Sequence, residues 1–433
     1  MLMRALYDLL WYAVLPLLPL RLWWRGRREP GYRAHIGERF GRYPSPGSVA
    51  NVIWIHAVSL GETRAAMPLV ERVLQELPDA TVLLTHMTAT GRAAGAALAS
   101  DRVVQAWLPY DVPFAVRAFL DHWKPRAGML METEVWPNLV TECRARGIAL
   151  LLVNARLSGR SLDAYHRFAT LTQPMFAALA GAAAQTQDDA QRLRDAGVRD
   201  VAITGNLKFD VRVDDALRES ARALRELFGA GRPVWVAAST REGEEALILD
   251  ALAAQGLPVD ALTVIVPRHP QRFDDVAALF DARKIPSVRR TANVAVPAGV
   301  RFVLGDSLGE LLAYYAACDV AFVGGSLLPL GGQNLIEPIA VGTPTVVGPH
   351  TFNFAEASSQ AVAARAALRV ADAQALVEEV ASLLGDPVRR GRMRDAALAF
   401  HAAHGGATDR LWAWLALRLN RSDVDSGLRG PAR

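Results

Sequence analysis

Cysteine is scarce in this sequence: the 433 residues include only Cys143 and Cys318. Two cysteines cannot build a disulfide framework or a cysteine-based metal site. An excess of charge is also lacking, because 48 Lys and Arg face 44 Asp and Glu, for a net charge of +4. Nucleic-acid binding calls for a concentrated basic stripe. The only basic concentration, at 21–28, follows an apolar run, which favours a membrane surface and predicts no nucleic-acid partner.

A long uninterrupted hydrophobic segment is missing as well. The run Leu9–Leu20 carries no charge but is interrupted by Pro16 and Pro19, and a spanning helix needs about 20 apolar residues. No small-residue cleavage site follows, as a secretory signal would require. Tryptophans and arginines follow instead, and they suit the headgroup layer of a membrane. We predict an uncleaved anchor that is shallow or barely spanning; a buried N-terminal helix is the alternative.

Compact apolar runs of strand type alternate with amphipathic runs through the rest of the chain. This alternation indicates α/β domains with parallel, doubly wound sheets. The fold class expected is two Rossmann-like domains facing each other across a cleft, with a membrane-associated segment before them. The expected division is an anchor at 1–28, an N-terminal domain at 29–210, a linker at 211–231, a C-terminal domain at 232–420 and a flexible tail at 421–433.

Ligands of such sheets bind beyond the carboxyl ends of the strands. We call the segment that follows the carboxyl end of a strand its exit. The exit of the first predicted strand carries Ser59 and Glu62, whose spacing is that of a helix-capping box. A glutamate at this position could also serve as the general base on an acceptor hydroxyl. Both interpretations can hold together.

The exits of later strands carry further charged residues. Glu132 and Glu134 follow a buried run directly and would repel each other if the strand persisted. They are either a helix start or a polar wall that positions substrate. Lys208 closes the first half. A solvated surface position is the ordinary expectation for a lysine, and neutralisation of a phosphate or of transition-state charge is the alternative.

The second half contains features suited to phosphate. Arg268 follows Pro267 at a strand exit and has the planar fork that grips phosphates; a solvated loop arginine is the alternative. A glycine-rich stretch from Gly324 leads to a predicted helix start near Asn334, where free N–H groups would bind an anion. Neither a P-loop nor a G-x-G-x-x-G fingerprint is present, so ATP and NAD lose their usual support.

A set of strings occurs in a fixed order between about Leu6 and Trp414, and together they resemble the 3-deoxy-D-manno-octulosonic acid (Kdo) transferases of Gram-negative bacteria. Each string alone is weak, whereas the ordered set is highly specific. The strings are HAVSLGE, METEVWPN, NARLS, TGNLKFD, AASTREGEE, VPRHPQRF, GDSLGEL and FVGGSLLPLGGQNLIEP.

The resemblance implies a GT-B fold, CMP-Kdo as donor, a tetraacyl lipid A precursor as acceptor, and the cytoplasmic face of the inner membrane. Glu62 matches the family's proton acceptor, and Glu132 and Lys208 match its transition-state stabilisers. No metal or other cofactor is implied. The positions that match the family's CMP contacts are Pro267, Arg268, Gly309, Glu310, Leu311, Asn334, Leu335, Ile336 and Glu337.

Two other functions compete with this interpretation. Another GT-B enzyme, a UDP-sugar epimerase or a hexosyltransferase, would be inhibited by UDP rather than by CMP. A non-catalytic lipid-binding protein would leave the polar strand exits of both domains without a purpose. The sequence leaves open how many Kdo residues are added, the acylation preference and the oligomeric state.

Overall fold

The chain folds into two compact units. The computed structural model describes residues 2–44 and 50–427. One unit contains the chain up to Asp210 together with the chain from Gly406 onward, and the other contains Val211–Gly405. Each unit is built on a seven-stranded sheet in which every strand pair is parallel. The prediction of two Rossmann-like domains is confirmed.

The first sheet has the strand order β3-β2-β1-β4-β5-β6-β7. Its strands are almost entirely apolar because helices cover both faces. Consecutive residues point to opposite faces, so that Ile53 and Trp54 belong to different core clusters. The strands are β1 Val52–His56, β2 Thr81–His86, β3 Val103–Trp107, β4 Ala127–Met131, β5 Ala149–Ala155, β6 Gly181–Ala184 and β7 Val201–Ile203.

The helices of the first unit connect these strands or precede them. Several of them are capped by a side chain at the N-terminus, as Ser59 caps the helix after β1. They are α1 Leu2–Val14, α2 Leu18–Arg25, α3 Leu60–Glu76, α4 Ala89–Gly95, α5 Pro113–Trp123, α6 Pro137–Ala145, α7 Gly159–Arg167, α8 Ala169–Ala177 and α9 Gln187–Asp195.

The N-terminal segment is helical despite its prolines. Pro16 and Pro19 lie in the first turns of a 3-10 turn (Leu15–Leu17) and of α2, where a missing N–H is tolerated. By length and composition alone, Leu2–Arg25 could cross a membrane. In the structure one side contacts the first unit, where Leu18 and Leu22 are buried. The opposite side exposes Leu2, Leu6, Leu9, Leu10, Leu17, Leu20 and Trp24.

The second sheet has the order β10-β11-β9-β8-β12-β13-β14. Its strands are β8 Val234–Thr240, β9 Leu262–Pro267, β10 Ser287–Arg289, β11 Phe302–Leu304, β12 Val320–Val323, β13 Thr345–Val347 and β14 Ala367–Arg369. Its helices are α10 Asp215–Phe228, α11 Glu244–Gln255, α12 Phe273–Ala282, α13 Leu311–Ala317, α14 Ile336–Ala340, α15 Ala355–Ala363, α16 Ala373–Gly385 and α17 Pro387–His404.

Both ends of the second unit differ from the predicted division. Residues 211–231 are not a separate linker, because α10 buries Leu224 and Phe228 in the core of the second unit. The predicted C-terminal domain ends too late at residue 420. The last helix, α18 Ala407–Gly427, buries Leu411 and Leu415 in the core of the first unit, since its apolar side completes the cover over one face of the first sheet.

The chain leaves the first unit after Asp210 and returns to it at Gly406. The residues at these two points contact each other within the first unit. The carboxylate of Asp210 accepts hydrogen bonds from the backbone N–H groups of Ala407, at 3.1 Å, and Thr408, at 2.5 Å. Helix α18 also includes residues 421–427, which the sequence suggested were a flexible tail. Residues 428–433 lie outside the described residues.

Candidate active site

Glu62 lies in the first turn of α3, directly after strand β1. The Ser59 hydroxyl caps the helix and also donates to Glu62 Oε1 at 3.3 Å. Glu62 Oε2 accepts the backbone N–H of Val58 at 2.5 Å. The predicted capping contact is therefore present, but the carboxylate turns back to Val58 instead of to the N–H of Ser59. This pins a half-buried carboxylate at the carboxyl edge of the sheet.

The surroundings of Glu62 favour its protonated form. Burial raises the pKa of this carboxyl most, and the negative charges of Glu132 and Glu134 raise it further, whereas the Val58 N–H opposes them; the pKa is about 7. A carboxyl with a pKa near neutrality can take a proton from a hydroxyl and release it again near pH 7. Glu62 is thus suited to general-base chemistry.

Glu132 follows β4 but no longer continues it. Its φ of 57° is left-handed, an uncommon conformation for a residue other than glycine and one that occurs at functional sites. The chain therefore turns, and the persistent strand considered from the sequence does not exist. Glu134 instead accepts a hydrogen bond from Trp136 Nε1 at 3.0 Å, and burial raises its pKa.

Lys208 is not a solvated surface residue, so the ordinary expectation from the sequence is wrong. Its ammonium Nζ lies 2.8 Å from Glu132 Oε1, and its side chain is only 26% exposed. Glu62, Glu132 and Lys208 come from the exits of β1, β4 and β7, and the structure brings all three predicted residues of the first unit into one group.

Asn154 holds Lys208 in this group, a role that the sequence analysis missed. It is fully buried at the end of β5 with a left-handed φ of 50°. Its Oδ1 accepts the backbone N–H of Leu207 at 3.0 Å, which fixes the turn that carries Lys208. The signal in the sequence was an asparagine directly after a run of apolar residues. In the structure its Oδ1 is hydrogen-bonded, whereas its buried Nδ2 has no hydrogen-bond partner.

In the second unit, Arg268 follows Pro267 at the exit of β9. Its backbone N–H donates to Thr240 O at 2.9 Å, and its Nε donates to Gln333 Oε1 at 3.0 Å. Burial and the charges of nearby arginines lower the pKa of the neighbouring His269, so this imidazole is neutral at pH 7. Hydrogen bonds thus fix the position of the Arg268 guanidinium at the carboxyl edge of the second sheet.

The glycine-rich stretch forms a tight turn after β12. A Cβ on Gly324 would lie 2.7 Å from the carbonyl oxygen of Ser239, so only glycine fits without a shift. The buried carboxylate of Glu244 accepts the N–H groups of Gly325 at 2.6 Å and Leu327 at 2.9 Å. The loop's shape is therefore set by a carboxylate from the adjacent helix α11.

The helix predicted to start near Asn334 begins at Ile336. Asn334 Oδ1 accepts the N–H of Ile336 at 3.1 Å, and its amide donates to Glu337 Oε1 at 3.1 Å. The helix proper, α14, has five residues, so its dipole is weak. Asn334, Leu335, Ile336 and Glu337 remain together, but so short a helix would contribute little to the anion binding predicted for a helix start.

Gly309, Glu310 and Leu311 open helix α13 after β11. Gly309 has a φ of 81°, and the turn allows Glu310 to precede the helix. Arg290 donates to Glu310 Oε1 at 2.8 Å, a partner that no pattern in the sequence indicated. Strands β11, β9, β8 and β12 are neighbours, so the residues matching CMP contacts share one edge.

No group of three His, Cys, Asp or Glu side chains that could hold a metal ion occurs within 2–44 and 50–427. The absence of a cofactor stays a prediction.

Comparisons with known proteins identify the class. A family model described as 3-deoxy-D-manno-octulosonic-acid transferase (kdotransferase) matches residues 34–211, and glycosyl transferases group 1 matches 287–399. The UDP-GlcNAc 2-epimerase structure from Neisseria meningitidis, bound to UDP-GlcNAc, has a TM-score of 0.54 at 14% identity, over 84% of this chain and 99% of that one. The two parallel sheets and these matches define a glycosyltransferase of the GT-B type.

The relatives narrow the class to a family. The 3-deoxy-D-manno-octulosonic acid transferase of Bordetella pertussis is 47% identical over 95% of this chain and 99% of its own length. The Haemophilus influenzae protein of the same name is 37% identical over 91% of this chain and 94% of its own length. The chain belongs to the Kdo transferase family, as its motifs indicated, and is a Kdo transferase.

Proposed function

We propose that this chain transfers Kdo from CMP-Kdo to a hydroxyl of the tetraacyl lipid A precursor (lipid IVA) in lipopolysaccharide core biosynthesis, with inversion at the anomeric carbon. The observation that carries the proposal is the group formed by Glu62, Glu132 and Lys208 in the first unit. A half-buried carboxyl whose pKa is about 7 lies beside an ion pair, at the sheet edge where substrates of this fold bind.

Glu62 acts as the proton acceptor. The acceptor hydroxyl loses its proton to the Glu62 carboxylate while its oxygen forms a bond to the anomeric carbon of Kdo. The bond from that carbon to the CMP phosphate breaks, and the electron pair leaves with CMP. Attack from the side opposite the leaving group inverts the centre. The hydrogen bond from Val58 holds the carboxylate in place for this transfer.

Glu132 and Lys208 stabilise the transition state as a pair. Positive charge develops at the anomeric carbon, which a carboxylate stabilises, while negative charge develops on the leaving group, which an ammonium stabilises. Their 2.8 Å contact keeps both side chains in position before substrate arrives. The left-handed backbone at Glu132 and the Asn154 bond to Leu207 supply the rigidity that such preorganisation needs.

The CMP part of the donor binds the second unit. Arg268 offers a guanidinium fork to the phosphate, and the Gln333 amide orients it. Pro267 lines the same exit. Glu337 and the Gly309–Leu311 turn provide acceptors and backbone groups for ribose and base. Leu335 and Ile336 shape the pocket around them.

The enzyme works at the cytoplasmic face of the inner membrane. The apolar outer side of α1 and α2, with Trp23 and Trp24 at its end, suits the headgroup and upper acyl region. On the inner side, the Tyr7 hydroxyl donates to Asp111 at 2.9 Å, and Trp11 contacts Trp136 with ring centroids 6.2 Å apart. These contacts hold the helix against the first unit, and they favour a helix that lies along the membrane over one that crosses it.

The test is to incubate the purified enzyme with CMP-Kdo and lipid IVA and to weigh the product by mass spectrometry. A mass increase of one or more Kdo residues is expected, with inhibition by CMP and none by UDP. Inhibition by UDP, or turnover of a UDP-sugar without CMP-Kdo, would favour the epimerase or hexosyltransferase alternative, for which the epimerase neighbour supports the fold alone.

A further inference from the structure

A small cavity lies beneath the N-terminal helices, outside the group around Glu62. Its volume is about 160 Å³, which is small beside the several hundred Å³ of pockets for nucleotide-sized ligands. No carboxylate lines it. Its lining includes three arginines, two tyrosines and a threonine, namely Arg21, Arg25, Arg39, Tyr32, Tyr110 and Thr88.

Arg39 is the buried member of this lining. It is 1% exposed, and its guanidinium carbon lies 3.8 Å from the centre of the Trp107 ring. One nitrogen donates to the Met87 carbonyl at 3.2 Å, whereas Nε has no hydrogen-bond partner. Among the described residues no carboxylate pairs with it. A buried charge without a counter-charge is costly, so an anion in the cavity would satisfy it.

Two further cations face the same space. Arg25 stacks over the Tyr32 ring at 4.3 Å, and neither it nor Arg21 forms an ion pair among the described residues. Burial raises the pKa of the Tyr110 hydroxyl, and the charges of Arg39, Arg21 and Arg25 oppose that rise. The hydroxyl is therefore a neutral hydrogen-bond donor surrounded by guanidinium groups. Such a set matches a phosphate, which accepts charge-assisted hydrogen bonds from several sides.

The cavity is joined to the candidate base by a short chain of contacts. The Thr88 hydroxyl donates to the Val58 carbonyl at 3.0 Å, and the N–H of Val58 donates to Glu62 at 2.5 Å. On its other side the cavity is closed by the inner face of α2, whose outer face exposes Leu20 and Trp24. A group bound here would thus lie between the membrane-facing helix and the reacting hydroxyl.

We propose that this cavity is a phosphate-binding subsite, in which Arg21, Arg25 and Arg39 hold a phosphate monoester of the lipid acceptor. The inference rests on the proposed function for the identity of the acceptor. By anchoring the phosphate, the subsite sets which sugar hydroxyl reaches Glu62 and rejects neutral lipids. It is too small for the sugar ring or an acyl chain.

The experiment compares two double variants of the full chain in detergent micelles. Arg21→Gln/Arg25→Gln removes two cavity charges. Arg27→Gln/Arg28→Gln removes the same charge from the same segment, at residues that stack on Trp23 and Trp24 and do not line the cavity. Each is assayed with the phosphorylated precursor and with the same lipid after phosphatase treatment, for transfer and, without donor, for direct lipid binding.

For Arg21→Gln/Arg25→Gln we expect a rise of about tenfold or more in KM for the phosphorylated lipid. The KM for CMP-Kdo should not change, and the wild-type preference for phosphorylated over dephosphorylated lipid should be lost. The control pair should keep that preference. Arg39→Lys, which retains charge without the fork, should lose part of it.

Three outcomes would overturn the subsite. One is an unchanged preference in Arg21→Gln/Arg25→Gln. Another is an equal loss of the preference in both double variants, in proportion to their weakened binding to phosphatidylglycerol vesicles. That result would assign the effect to the general charge of lipid headgroups. The third is displacement of the acceptor by inorganic phosphate as readily as by phosphorylated lipid. If wild-type enzyme transfers no Kdo, the proposed function fails, while the donor-free binding arm still decides the subsite.

Discussion

The two sheets are both parallel and seven-stranded but differ in strand order, and their carboxyl edges differ in electrostatic character. In the first unit the edge carries Glu62, Glu134 and the Glu132–Lys208 ion pair. Burial and the charges of Glu132 and Glu134 raise the pKa of Glu62 to about 7. In the second unit the edge presents Arg268, held by Gln333, beside a glycine turn. On the function proposed above, the first edge accepts a proton and the second edge binds an anion.

A Rossmann-like unit therefore does not determine its own chemistry, because the turns after its strands can carry either acidic or basic side chains. The first edge depends on side-chain charge, and the second depends on backbone shape as well as charge. Substitutions should therefore affect the two edges in different ways.

The largest effect is expected from Glu62→Gln. The amide cannot take the proton, so kcat should fall by about 10²–10⁴-fold. Because the change leaves the second unit untouched, CMP affinity should stay at the wild-type value. Transfer is measured by mass spectrometry and CMP binding by calorimetry. Full transfer activity in this variant would remove Glu62 from the mechanism.

Arg268→Gln tests the anionic side of the comparison. Loss of a charge-assisted contact to phosphate should raise KM for CMP-Kdo by about 10–100-fold, with the KM for the lipid acceptor unchanged. Arg268→Lys serves as the matched control, since it retains the charge without the planar fork. Its KM for CMP-Kdo should lie between those of the wild type and Arg268→Gln. Steady-state kinetics with each substrate varied would check this, and a change confined to the acceptor KM would contradict it.

Gly324→Ala tests the dependence of the second edge on backbone shape. The added Cβ meets Ser239 O at 2.7 Å, and the shift needed to relieve this should cost about 1–3 kcal/mol of unfolding free energy. Gly299→Ala is the control, because nothing lies within 4 Å of its Cβ position. Chemical denaturation measures both; equal stability of the two variants would show that the turn can relax freely.

The smallest effect expected is a displaced pH profile. Glu62 must be ionised to act, and its raised pKa means that kcat/KM should increase as pH rises through about 7. Glu132→Gln removes one like charge, so the profile should move to lower pH. It should remain above the usual 4.5, since burial, the larger cause, persists. A profile that does not move would indicate that Glu132 does not act on Glu62 by charge.

Contacts between residues close together in the sequence could be predicted from it, whereas contacts between distant segments could not. The Ser59–Glu62 contact spans three residues, so spacing alone predicted it. The Lys208–Glu132 pair joins chain segments 76 residues apart, and its formation depends on strand order and on the Asn154 bond, neither of which local pattern reports. The helix start near Asn334 was predicted, but its length of five residues was not, because no local pattern marked its end.

The Asp210 contacts with Ala407 and Thr408 have a practical consequence for engineering. The chain departs from the first unit and re-enters it at residues that hydrogen-bond each other, so the whole second unit is an insertion at a single point of the first. Residues 211–405 could be exchanged for the equivalent segment of a relative without cutting the host's core. Truncation at the C-terminus, by contrast, would remove α18 from the core of the first unit and leave the second unit intact.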